Sequence, residues 1–538
     1  MRSLAVLLLV VTACSTPRLA DRELPPRPPS LRAAFEQMPA PATARVRVLS
    51  ENTDAWAARW RTIEAAAKTV DVQYFIIEPD AYGLSLLGLL LEKQIAGATV
   101  RLMVDSRGTP GLTREFMGIK LLRDLADAGA EVRIYNPIET NVADAIASGD
   151  LRTLAASNHD KLVIVDKRVA VTGGRNISKD YLSDPRDLPG AYIDMDIFVE
   201  GETAAAALTE AFTSELKGTR AVKVDRGGGE EGRQALLCAS AAMRLWLTDP
   251  AFTEEEIKAL DDPAKREALA LVYEGNVVAK LDYIPQPKAR EVLRTLTRQL
   301  ATLPHLRGAL SRPVPNISAE PQQVRVLDTH SAEGPDARNR VNENLLAAIQ
   351  AAEHEVVIQS PYFVLTNRGM RAMEAAAARG VQITILTNSP TSSDSAITQA
   401  AFLLQWPELL ARVKTARLFV IGEKRLMHAK VGVMDSQLAF VGSYNLDPLS
   451  MGVNGEVVTA AWSEDLAGKE RALILGRIAQ GPPNVVEYRI KRDDKGEVVR
   501  DDKSLPVVVY GPDDHCDKDA LARVRRLNPV LELLAPLI

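Results

Sequence analysis

Two histidines, two lysines and two asparagines recur in this chain at one fixed spacing, and those side chains can move a phosphoryl group. The first set is His159, Lys161, Asp166, Gly173, Gly174 and Asn176; the second is His428, Lys430, Asp435, Gly442, Ser443 and Asn445. Five residue types repeating at identical intervals arise by chance in a chain of this length on the order of once in ten thousand sequences. A phosphodiester is anionic, so an attacking group is repelled until the nonbridging oxygens are neutralised. Lys161 and Lys430 supply the charge, and Asn176 and Asn445 supply neutral amide donors. Imidazole serves as nucleophile, acid and base near neutral pH, so two of them allow a two-step displacement that calls for no metal and no cofactor.

The remaining residues of the pattern support that chemistry. Asp166 and Asp435 fall at a turn, where a carboxylate holds backbone N–H groups. Gly173 and Gly174 allow close backbone approach, and Ser443 offers a hydroxyl. A nucleophilic histidine needs an acid on its far nitrogen. Each copy is followed by a candidate, Asp194 with Asp196 as its alternative, and Glu456.

These residues need a frame. In each copy a β period of two puts His and Lys on one face of a strand, followed by a tight turn and a second strand. Upstream, a helix from Trp60 to Ala67, a strand over Val70–Ile76, a helix from Leu84 to Ala96 and a strand over Val100–Val104 precede the first copy. Leu345–Ala352, Glu355–Gln359, Gly369–Ala378 and Val381–Leu386 repeat that order before the second. Strands alternating with helices predict an α/β fold with a largely parallel sheet, present twice.

The expected organisation is a signal over residues 1–14, a proline-rich tether over 15–44, a first half over 45–226, a linker and helical insertion over 227–320, a second half over 321–480 and a C-terminal hairpin and helix over 481–538. Gly227–Gly229 reads as a flexible break, and the insertion as either a cap over the cleft or a packing linker. Met1–Arg2, the apolar run Leu4–Val11 and Cys14 have the plan of an export signal, too short to span a bilayer. The other cysteines, Cys238 and Cys516, are free to pair or to stay reduced. A net charge of -5 gives no global basic field, so no stable nucleic-acid partner is expected.

The doubled motif resembles the signature of the phospholipase D superfamily. The segments Thr172–Ser178, Gly442–Pro448, Asp71–Ile76 and Ser360–Phe363 are most like those of bacterial cardiolipin synthases of the exported lipoprotein type. The resemblance implies two α/β/α halves packed as an intramolecular pseudodimer, with both motifs brought to one site. It implies a covalent phosphohistidine, with His159 as nucleophile and His428 as acid and base. It pairs Glu456 with His159 and Asp194 with His428. Separately, the segment ending at Cys14 resembles a bacterial lipoprotein signal, which makes Cys14 the lipidated first residue of a periplasm-facing protein, with the outer membrane favoured over the inner by Ser15. The implied partner is a phospholipid membrane containing phosphatidylglycerol, phosphatidylethanolamine or cardiolipin-type lipids; no protein partner is legible. A hydrolase releasing phosphatidic acid, a nuclease and a non-enzymatic lipid-binding protein of the envelope are the rival readings.

Overall fold

The computed structural model describes residues 23–137, 142, 156–314, 317–330 and 340–528. Cys14 with its signal, and the final apolar run through Leu531, Leu533 and Leu534, lie outside them. Chain contacts define two units, one of Ala44–Thr140 and Asp160–Ala319, the other of Met1–Thr43, Asn141–His159 and Glu320–Ile538.

The strands of the first sheet are β1 (Pro41–Leu49), β2 (Thr69–Tyr74), β3 (Thr99–Asp105), β4 (Glu131–Tyr135), β5 (Lys161–Val165), β6 (Val169–Gly173), β7 (Asp196–Glu200) and β8 (Ala221–Lys223). They pair in the order β1-β7-β6-β5-β2-β3-β4-β8. The second sheet contains β9 (Gln322–Thr329), β10 (Glu355–Gln359), β11 (Gln382–Asn388), β12 (Ala416–Ile421), β13 (Val431–Met434), β14 (Leu438–Gly442), β15 (Glu456–Trp462) and β16 (Val485–Ile490). Its order, β9-β15-β14-β13-β10-β11-β12-β16, is the same strand for strand. The duplication is therefore one of topology as well as of motif.

Neither sheet is largely parallel, which corrects the expectation from helix–strand alternation. Only β2-β3-β4 and β10-β11-β12 run parallel. Parallel neighbours need a crossover element, and the helices Ala81–Ile95 and Asn367–Ala378 provide it. The motif strands are joined by tight turns and must pair antiparallel.

Three boundaries also move. The proline-rich stretch is not all tether: Ser30 caps a helix, Leu31–Glu36, whose Phe35 is buried beside Trp462. The insertion is not separate from the first half. Its helix Glu230–Thr248 packs on Ala81–Ile95 so closely that a Cβ on Gly88 would lie 2.0 Å from the Leu236 carbonyl oxygen. Nor is Gly227–Gly229 a loose break. Gly227 and Gly228 donate to Asp127 and Gly229 donates to Asp124, while a Cβ on Gly228 would meet Asp124 at 2.2 Å.

Finally, Val485–Ile490 is not an appendage beyond the second half. It completes the second sheet, as Ala221–Lys223 completes the first. The hairpin expected over Val485–Val499 turns at Asp493–Gly496 but is shorter, pairing Lys491–Asp493 with Glu497–Val499, and a further strand β17 (Val508–Tyr510) returns along β16. Cys238 and Cys516 are both unbridged.

Candidate active site

Each motif turn is fixed from outside by its own aspartate. Asp166 and Lys167 both have φ of 52°, and Asp435 and Ser436 have 51° and 53°, the left-handed pair of a tight hairpin turn. The Asp166 carboxylate accepts from the backbone N–H groups of Ala67, Lys68 and Thr69 at 2.9, 2.7 and 2.8 Å. Asp435 accepts from Glu353, His354 and Glu355 at 2.9, 2.8 and 2.9 Å. Both aspartates thus tie the motif turn to the entry of the neighbouring strand. Burial raises the Asp166 carboxyl, but the three donors outweigh it and hold its pKa below the usual carboxylate value.

The histidines do not lie within the strands, as a strict two-residue period predicts. β5 begins at Lys161 and β13 at Val431, so His159 and His428 stand in the extended segments that lead in. Asn158 bridges Gly455 instead, Gly455 donates to the Ser157 carbonyl, and the His159 N–H donates to the Gly455 carbonyl at 2.9 Å. That short ladder carries His159 into the unit that holds the second motif.

There, His159 Nδ1 lies 3.4 Å from Glu456 Oε1. Glu456 is fully buried and accepts from Ser443 Oγ at 2.5 Å and from Ser450 Oγ at 2.7 Å. Two hydroxyls aim one carboxylate, and the carboxylate faces the imidazole. Asn454 Nδ2 also reaches Nδ1 at 3.4 Å. A carboxylate at Nδ1 favours the tautomer with the proton there, which leaves the Nε2 lone pair directed away from the acid. Ser443 therefore orients an acid here.

His428 and Lys430 are both buried. Lys430 Nζ stands 3.0 Å from His428 Nδ1 and 3.1 Å from Nε2, and it donates to the His428 carbonyl. Asn445 is buried nearby in sequence, its backbone N–H held by Ser450 Oγ at 3.3 Å. Ser450 therefore serves two site residues at once.

In the other unit, Lys161 is 1 % exposed with Nζ 5.6 Å from the centre of the Phe75 ring. Asn176 accepts from the Ile76 N–H through its side-chain oxygen at 3.0 Å, which fixes the amide and turns its NH2 the other way. Register decides between the two acids of this copy. Gly173 pairs with Asp196 and Gly442 with Val458, so Asp194 holds the place that Glu456 holds in the second sheet. Asp196 is consumed elsewhere, ion-paired with Arg59 at 2.9 Å and Arg175 at 3.1 Å, all three buried. Gly174 leaves room for Asp194: a Cβ there would lie 2.1 Å from Asp194 Oδ1. Arg175 donates to the Asp194 carbonyl at 2.6 Å and anchors that segment to Leu49 and Ser50.

Sequence reasoning missed Ser450, Asn454 and Arg175. A signal for Ser450 was present: Asp447-Pro448 is a helix start, and Asp447 caps the helix Pro448–Gly452 by accepting from the Ser450 N–H. Among the described residues no three His, Cys, Asp or Glu side chains gather as metal ligands.

Residues 60–216 and 345–473, more than half of the chain, match the family described as "Cardiolipin synthase, PLD-like domain". The chain belongs to that family, a cardiolipin synthase-like branch of the phospholipase D superfamily. It is 26 % identical over 439 residues to cardiolipin synthase C of Escherichia coli K12, covering 78 % of this chain and 81 % of that one. It is 22 % identical over 428 residues to cardiolipin synthase 1 of Bacillus anthracis, covering 79 % of this chain and 65 % of that longer protein. Among solved structures, the phosphatidylserine synthase of Haemophilus influenzae Rd KW20 shares the fold with a TM-score of 0.52 and 14 % identity, over 82 % of this chain and 89 % of that one.

Proposed function

We propose that this chain is a phosphatidyltransferase that joins membrane phospholipids through a phosphohistidine, as a cardiolipin synthase does. The observation that carries the reading is the contact of His159, from the first motif, with Glu456, which follows the second. His159 Nε2 attacks phosphorus while Glu456 holds the Nδ1 proton. The bond from phosphorus to the leaving alcohol breaks, and His428 gives that oxygen a proton. An acceptor hydroxyl then loses its proton to His428 and attacks phosphorus, and the P–N bond breaks. Lys430 and Asn445 bear on the nonbridging oxygens, and the family pattern gives Lys161 and Asn176 the same duty. Asp194 is the counterpart of Glu456 and serves His428.

The substrates in this reading are phosphatidylglycerol and phosphatidylethanolamine. A lipid on Cys14 holds the enzyme at the periplasmic side of the envelope, raising its effective concentration at the bilayer. No helix of the described residues is long and apolar enough to cross a membrane. The test is to supply both lipids in vesicles and resolve the products by mass. Cardiolipin is the expected product. Phosphatidic acid alone would make water the acceptor and the enzyme a hydrolase; cut DNA with intact lipid would make it a nuclease.

A further inference from the structure

The insertion that packs on the first sheet's helix carries an outward face that nothing in its own unit covers. The helix Pro263–Val278 buries Ala270, Tyr273, Glu274 and Val277, with Tyr273 edge-on to Trp246 at 5.0 Å. Its opposite face, unlike this one, carries no charge and is bordered by Lys265 and Asn276. Ala264, Ala268, Leu271, Val272, Gly275 and, just past the helix end, Ala279 are all exposed and fall at helical spacing. Leu271 is 51 % and Val272 62 % exposed, and Ile284, in the loop that follows, is 84 % exposed. A soluble helix normally turns polar residues outward; a contiguous exposed apolar stripe marks a contact surface.

Charge indicates what the stripe meets. Both acids of the helix are ion-paired: Glu274 is buried and binds Arg290 and Arg294, and Glu267 binds Arg298 at the surface beside the stripe. Lys265 and Lys280, at the two ends of the stripe, are exposed and have no ion-pair partner among the described residues. Of the exposed acids around the helix, Asp261 and Asp262 precede it, Asp262 capping it by accepting from the Ala264 N–H, and Asp282 follows it. An apolar face flanked by unpaired lysines matches the boundary of a bilayer with anionic headgroups, where apolar side chains enter the acyl region and lysines stay at the phosphates.

We propose that the outward face of Pro263–Val278, with Ile284, is the surface by which the enzyme lies on its phospholipid substrate. The proposal rests on the lipid-directed function above, and it names the part of the chain that meets the bilayer. The helix lies flat at the interface, with Leu271, Val272 and Ile284 directed into the lipid.

The full chain carrying Val272→Trp, bound to phosphatidylglycerol–phosphatidylethanolamine vesicles with brominated acyl chains, tests this directly. Of the five tryptophans, Trp56, Trp60, Trp246 and Trp406 are buried and Trp462 is half-buried against Phe35 and Arg32, and together they set the parent background. Quenching should be roughly twofold stronger than in the parent chain, independently of any N-terminal anchor. Leu271→Glu combined with Val272→Glu should lower turnover on vesicles at least about tenfold and leave turnover of a monomeric short-chain phosphatidylglycerol unchanged. Quenching equal to the parent, or undiminished vesicle turnover in the double variant, overturns the proposal. Strong quenching in a chain that turns over no lipid supports this surface and overturns the transferase reading alone.

Discussion

The two motif copies share one backbone frame but position their acids differently. Both have the left-handed turn, the aspartate clamp and the same strand register. In the second copy Glu456 is held by two hydroxyls, Ser443 and Ser450. In the first, Gly174 stands where Ser443 stands, the acid is the shorter Asp194, and Arg175 grips its backbone. Tyr444 takes the place of Arg175 and donates only to Asn342, at 3.1 Å. Duplication has thus preserved what fixes the strands and changed what surrounds the acids. Side chain and neighbour changed together: glycine with aspartate, serine with glutamate.

Removing a reacting group gives the largest effect. His159→Ala and His428→Ala should each lower kcat by about 10^4-fold or more in lipid turnover assays. Glu456→Gln keeps shape but not charge, so it should cost about 10^2 to 10^3 in kcat with little change in KM.

Exchanging neighbours sharpens the comparison. Gly174→Ser would drive its Cβ to 2.1 Å from Asp194 Oδ1, so activity should fall about 10^2-fold. Ser443→Ala merely removes one of two hydroxyls on Glu456 and should cost about tenfold. Equal losses would mean that the two acids are held alike after all.

Stability separates the copies next. Arg175→Met leaves Asp196 with Arg59 alone in a buried network, and urea unfolding should show a loss of about 3 kcal/mol. Tyr444→Phe deletes one neutral hydrogen bond and should cost about 1 kcal/mol.

The aspartate clamps give a comparably small effect, and one that depends on pH. Asp166→Ala should cost roughly 1–2 kcal/mol at neutral pH. The folded-state pKa of Asp166 lies below its unfolded value of about 3.9, so the stabilisation is complete above that value and fades as pH falls through the folded one. Acid titration of the variant should therefore show a shallower loss of stability than that of the parent chain.

The motifs and the repeated order of helices and strands were legible because each is a local pattern of spacing, whereas the pairing of Glu456 with His159 followed only from the family resemblance. What the sequence concealed depends on contacts between distant segments. His and Lys looked like neighbours on one strand, but His159 is placed by Gly455, far along the chain. Asp194 and Asp196 were equivalent by alternation; the strand register and the partnership of Asp196 with Arg59 and Arg175 separate them. Prolines hid the helix Leu31–Glu36, although Ser30 and the four-residue spacing of Leu31 and Phe35 announced it. Gly227–Gly229 read as flexible because glycine also serves where a neighbour comes too close for a Cβ, as Asp124 does here.

The central claim is that Glu456 readies His159 to attack phosphorus. It is tested most directly by quenching the enzyme during turnover of phosphatidylglycerol and mapping the covalent phosphatidyl group by mass spectrometry of peptides at alkaline pH. A phosphatidyl adduct on His159 that vanishes in His159→Ala is the predicted result. The adduct on His428, or turnover with no adduct on either histidine, would contradict it.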